Sequence, residues 1–160
     1  MPAYSFNERF VPMVVDGSKR QTIRAFRLRQ VPRIGQKAHL FFGMRTKNCR
    51  KLVENSPEIK DVKLILITAF QEVILFNAPL EIREEIRTSY KKISPFILKK
   101  IVPEYVYLLN EEKWKLAFDD GFRYTGNREW DKPCLEDWEL MIKYWTKTQS
   151  LPFLGEIIYW

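Results

Sequence analysis

A threonine flanked by cations stands early in the chain, in Gly17-Ser18-Lys19-Arg20-Gln21-Thr22-Ile23-Arg24. The segment reads as a turn running into a strand. Side chains alternate along a strand, so Arg20, Thr22 and Arg24 share one face while Gln21 and Ile23 take the other. Lys19 stands at the turn, where its ammonium can reach over the strand's end. A hydroxyl set among cations can hold a phosphate, or can be activated as a nucleophile beside a lysine of lowered pKa. The same residues fit a solvated edge strand whose charges guard against aggregation.

A second basic group follows Gly43, in Arg45-Thr46-Lys47-Asn48-Cys49-Arg50-Lys51. Its cations and amide suit phosphate oxygens and read as a loop between strands. Arg27, Arg29 and Arg33 would line the preceding loop. Phe26 is the aromatic best placed for exposure there, whereas Phe41 and Phe42 lie in an apolar strand and belong to the core. Cys49 would be a reactive thiol among these cations, but no histidine lies near it in sequence. His39 reads as a packed or edge histidine. Later, Asp119 and Asp120 close a predicted helix, where the macrodipole disfavours negative charge by about 0.3–1 kcal/mol. Asp120 either calls for a cationic partner, which Lys19 or Arg24 could supply, or is ordinary turn chemistry before Gly121. Asp119 reads as ordinary turn chemistry before Gly121.

These residues belong to a chain of 160 amino acids with a formal net charge of +7. Eleven of its 27 basic residues fall in residues 17–53, where there is no Asp or Glu; elsewhere 16 basic residues face 20 acidic ones. The whole excess is thus confined to one stretch, which points to a phosphate-bearing partner or, more plainly, to a surface patch that serves solubility. Hydrophobic residues make up 46%, enough for a packed core in one domain. The apolar runs are far too short to span a bilayer, and the first ten residues do not resemble a signal peptide. The expectation is a cytoplasmic protein with no membrane partner. One histidine and two distant cysteines, Cys49 and Cys134, favour neither a metal site nor a disulfide scaffold, so no metal or cofactor is expected.

The elements that would position these groups can be read from periodicity. Short strands are expected over 3–6, 21–25, 37–43, 49–54, 62–70 and 72–76, with a closing strand over 153–160. Asn7 would cap a short helix through Val15, and Asn110 a helix over 111–118. The clearest helix spans 135–148, with Trp138, Met141, Ile142 and Trp145 at helical spacing as a core stripe. A further helical stretch is expected over 80–93.

The aromatic first strand, the short helix, the G-x-K-x-x-T-I-R segment, Pro32-Arg33-Ile34-Gly35 and a hydrophobic strand together resemble the ASCH domain, a relative of the PUA fold. Ala117-Phe118-Asp119-Asp120-Gly121-Phe122 resembles that family's A-x-x-(D/E)-G-F signature. Leu154-Gly155-Glu156-Ile157-Ile158-Tyr159-Trp160 is similar to its last strand. Residues 77–109 match no part of the pattern and read as a variable insertion. The resemblance implies an α+β fold, a small PUA/ASCH-like β-barrel with flanking helices, forming a single domain over 1–160. It also implies a cleft and a link to RNA.

The function expected on these grounds is binding of RNA or a nucleotide, with Arg20, Arg24, Arg27, Arg29, Arg45, Lys47 and Arg50 as contacts. Residues 122–130, with Arg123, Tyr124, Arg128 and Trp130, would add a second wall to the cleft. One ASCH branch, the small acetylcytidine amidohydrolases, uses a lysine and a threonine of this motif and a later glutamate. By motif these fall on Lys19, Thr22 and Asp120. Thr22 would be the nucleophile or its positioning group, Lys19 the base or oxyanion stabiliser, and Asp120 the orienting carboxylate. Aspartate is shorter than glutamate by roughly 1.5 Å, and a misplacement of about 1 Å can cost about a hundredfold in rate. Related ASCH proteins are linked to ribonuclease activity, which the same cationic cleft would support. A third reading is a protein-interaction module that uses residues 77–109 to hold a protein partner.

Overall fold

A computed structural model describes residues 2–26, 31–77, 86, 104–123 and 132–160. The chain begins with β1 (Ala3–Phe6), a 3-10 turn (Glu8–Phe10) and the short helix α1 (Val11–Val15), with Pro12 at its first turn, where the missing N–H costs little. Then come β2 (Gln21–Ala25), β3 (His39–Phe42), β4 (Arg50–Lys51), β5 (Asp61–Ile67) and β6 (Val73–Phe76). The second half holds β7 (Tyr105–Tyr107), α2 (Asn110–Asp119), α3 (Leu135–Thr148) and β8 (Phe153–Tyr159).

The α+β composition holds, but the closed PUA/ASCH-like barrel does not. The described strands form two sheets, one of three strands in the order β1-β3-β4 and one of five in the order β2-β8-β5-β6-β7. The pairing of β1 with β3 is parallel, and all the other ladders are antiparallel. β1 and β2 are edge strands of different sheets, and side chains occupy the seam between them. On β2, the Ile23 amide donates to Asp120 Oδ1 at 3.1 Å. On β1, the Ser5 carbonyl accepts from Arg24 Nη2 at 2.8 Å. Groups that a neighbouring strand would use are thereby spent on side chains, and the ladder stops at the seam.

β8 lies at the heart of the larger sheet, between β2 and β5, and six of its seven residues are buried. Gly155 is required there: a Cβ would stand 2.6 Å from the Arg24 carbonyl oxygen. One apolar cluster joins both sheets to α2 and α3. It includes Tyr4, Phe6, Leu40, Ile65, Ile157, Ala117 and the α3 stripe of Trp138, Met141, Ile142 and Trp145. A second cluster of Leu64, Leu66, Ile74, Phe76, Leu154 and Ile86 forms apart from it. Residues 77–109 contribute to this architecture: β7 extends the larger sheet beside β6, and Ile86 is fully buried. The helix expected over 80–93 otherwise lies outside the described residues.

Candidate functional site

Two turns bring the chemistry together. The first follows α1. Gly17 takes a positive φ of 76°, the Ser18 amide donates to Asp16 Oδ1 at 2.8 Å, and the Lys19 amide donates back to the Met13 carbonyl at 2.8 Å. This geometry turns the Lys19 side chain inward, and only 2% of the residue stays exposed. The second turn ends α2. The Gly121 amide bonds to the Phe118 carbonyl at 3.0 Å, and the Phe122 amide to the Ala117 carbonyl at 2.9 Å. That is the Schellman pattern, with Gly121 in the left-handed region at φ 87° and Phe122 buried behind it.

Asp120 sits at this helix end, and Lys19 is its partner. Lys19 Nζ donates to Asp120 Oδ1 at 2.8 Å and also to the Asp120 main-chain carbonyl. The ammonium thus neutralises the carboxylate and answers the negative end of the α2 dipole. It also lies 4.9 Å from the centre of the Phe10 ring. Burial pushes the Lys19 ammonium below its ordinary pKa, and the Asp120 charge partly offsets this. Burial likewise pushes the Asp120 carboxyl up, against the pull of Lys19, Arg24 and the Ile23 amide. Asp119 is tied instead to exposed Lys115, four residues earlier, at 2.8 Å.

Beside this pair is a cleft of about 90 Å³. Lys19, Thr22, Arg24 and Asp120 all line it, together with Ser5 and Asn7. Its aromatic walls come from Phe6, Phe10, Phe122, Tyr144 and Trp145. Among the described residues, the Thr22 hydroxyl is hydrogen-bonded to neither Lys19 nor Asp120. The Arg24 guanidinium spans the seam to Ser5 and lies 5.0 Å from the centre of the Phe6 ring. Asn7 does not cap a helix with its side chain; its Nδ2 donates to the Tyr144 hydroxyl at 3.1 Å. The buried Trp145 indole N–H has no hydrogen-bond partner among the described residues.

The other expected contacts are dispersed. Arg20 is exposed and bonds the Gly17 carbonyl at 3.2 Å, over a separate depression with Lys60 and Trp160. It leaves the face shared by Thr22 and Arg24 because β2 begins only at Gln21. Arg45 and Lys47 are exposed on the β3–β4 connection, and Arg50 is exposed at the start of β4. That connection starts beside the cleft, where the Met44 amide donates to Ser5 Oγ at 3.1 Å. Arg27 and Arg29 lie outside the described residues, as do Tyr124, Arg128 and Trp130 of the anticipated second wall. Phe26 is half-buried against the second apolar cluster and does not stand free. His39 Nδ1 pairs with Ser56 Oγ at 2.9 Å, and the Cys49 thiol is exposed.

Sequence reasoning missed Ser5, Asn7, Phe10 and Tyr144, and it read Trp145 only as core. No spacing marks them, because four distant segments supply the walls. It also passed over Glu156, buried at 1% exposure and opposite Arg24 in the β2–β8 register. Among the described residues there is no group of three or more His, Cys, Asp or Glu side chains suited to a metal. Nor is any described helix long and apolar enough to cross a membrane. No known protein family, curated protein or solved structure matches this chain.

Proposed function

We propose that the chain is an RNA- or nucleotide-binding module of ASCH kinship, acting in the cytoplasm, whose ligand enters the cleft between β1 and β2. The observation that carries this reading is the meeting of Lys19, Thr22, Arg24 and Asp120 in one aromatic-walled cleft. Flat rings supply faces on which a base can stack, hydroxyl and amide groups supply hydrogen bonds to its edge, and Arg24 supplies charge. The exposed turn with Arg45, Lys47 and Arg50 leaves the same rim and fits a backbone running out of the cleft.

The test is a salt titration of binding to a short single-stranded RNA. The logarithm of affinity should fall with the logarithm of salt, with a slope of about −0.7 for each phosphate neutralised. Arg24→Gln should weaken binding, and neutralising Arg45, Lys47 and Arg50 together should flatten the slope. A flat slope in the unaltered protein would sink the proposal.

A second reading, hydrolysis of an acylated nucleoside or of an RNA phosphodiester, has its own support in the burial of Lys19. A lysine of lowered pKa beside a hydroxyl in the same cleft is the setting for an activated nucleophile. In that role Asp120 carries the proton shed by Lys19; the neutral amine takes the proton of Thr22 as its oxygen attacks the acyl carbon and passes it to the nucleoside amine as the C–N bond breaks, and water then hydrolyses the acyl-threonine ester to release the acid and restore the hydroxyl. Acetylcytidine turnover abolished by Thr22→Ala and Lys19→Ala would establish it. Absence of turnover on both acetylcytidine and RNA would exclude it.

A further inference from the structure

The geometry points to Arg9 as the group that recognises the phosphate of a ligand whose flat ring occupies the cleft, so that the site prefers nucleotides to nucleosides. This rests on the cleft reading above. Arg9 belongs to the 3-10 turn after β1 and lies outside the basic stretch of residues 17–53. It is exposed, and among the described residues it forms no hydrogen bond or ion pair. Its guanidinium nevertheless has a fixed place, 4.9 Å from the centre of the Phe10 ring and 5.0 Å from that of Phe122. Those two rings stand edge to face, 5.4 Å apart, and both line the cleft.

A guanidinium lying over rings spends its face on them and keeps its in-plane N–H groups for an anion. The other cations nearby are more heavily committed. Lys19 is neutralised by Asp120. Arg24 donates to Ser5. Arg123 donates to the Ser18 carbonyl at 3.3 Å and lies 4.4 Å from the Phe118 ring centre. Of these four cations, Arg9 alone forms no hydrogen bond or ion pair among the described residues; it does not itself line the cleft, but it stands against two of the rings that do. The walls also argue against a cationic ligand: Phe10 already faces both Arg9 and Lys19, so its attraction for positive charge is taken up.

The experiment is a calorimetric titration at low salt with the four ribonucleosides, their 5′- and 3′-monophosphates, and inorganic phosphate. A monophosphate should bind about tenfold tighter than its nucleoside, the scale of one charge-assisted contact. Arg9→Gln should bring that ratio close to one, and Arg9→Lys should keep part of it as a point charge without the fork. Equal binding of nucleoside and nucleotide by the unaltered protein would overturn the inference and leave the cleft reading standing. So would a ratio that Arg9→Gln does not change. Inorganic phosphate binding as tightly as the monophosphates would remove the ring from the proposal and overturn it too. Binding of none of these probes would overturn the inference together with the cleft reading.

Discussion

Lys19 and Asp120 form an ion pair with side chains 2% and 5% exposed. Such a pair gains little over an apolar filling, but losing one partner strands a buried charge. Asp120→Ala should therefore cost about 3–5 kcal/mol by denaturant unfolding, and a Lys19→Met, Asp120→Leu double variant should recover much of it. The pair also sets a pH dependence. Lys19 has a lowered pKa in the fold, so below 10.5 the unfolded chain holds the proton that the folded chain has released. Stability should then rise with pH through the window between the folded value and 10.5, and the rise should vanish in the double variant. Tyr159 acts in the opposite sense at higher pH. Burial and then Asp61 push its phenol up to about 12, so the fold keeps a proton that the unfolded chain loses above 10. Stability should fall between pH 10 and about 12, and Tyr159→Phe should remove that fall. Both trends can be followed by urea unfolding across pH. At this scale the sequence was informative: an aspartate at a helix end needs a cation, and Lys19 is that cation. Arg9 left no such trace, since its role comes from rings that folding alone brings together.

At the scale of elements, the closing turn of α2 positions Asp120. Gly121 holds φ at 87°, and an added Cβ would meet Phe10 at 3.1 Å. Gly121→Ala should cost about 1–2 kcal/mol from the left-handed backbone alone. It should also weaken ligand binding through displaced Asp120 and Phe122, which thermal unfolding and titration on one sample would separate. α3 was legible to its ends because four large apolar residues recur at helical spacing; the structure adds that the Asp137 carboxylate closes its start, accepting from the Cys134 amide at 3.0 Å. β1, β2 and β8 were legible from alternation and apolar runs. The partition of the strands into two sheets was not. Periodicity tells which residues form strands, while the choice of neighbour depends on contacts remote in sequence. Here Asp120, 97 positions from Ile23, takes the amide that would have continued the ladder.

For the molecule as a whole, the segregation of positive charge in residues 17–53 was the strongest signal in the chain. Folding divides that charge. Lys19 is internal, Arg24 crosses the seam, Arg20 faces another depression, and Arg45, Lys47 and Arg50 stand on the segment after β3, which the Met44 amide ties to Ser5 Oγ. The cleft is therefore built less from net charge than from rings, hydroxyls and one ion pair, with cations at its rim. Its ligand should be held by stacking inside and by salt-sensitive contacts outside. The most direct test is an amide and indole NMR map of the 15N-labelled protein titrated with a short single-stranded RNA. Shifts should centre on Thr22, Arg24, Phe122 and the Trp145 indole, then extend to the 45–50 turn. Shifts confined to that turn, with the Trp145 indole and Thr22 unmoved at saturation, would contradict a base-binding cleft.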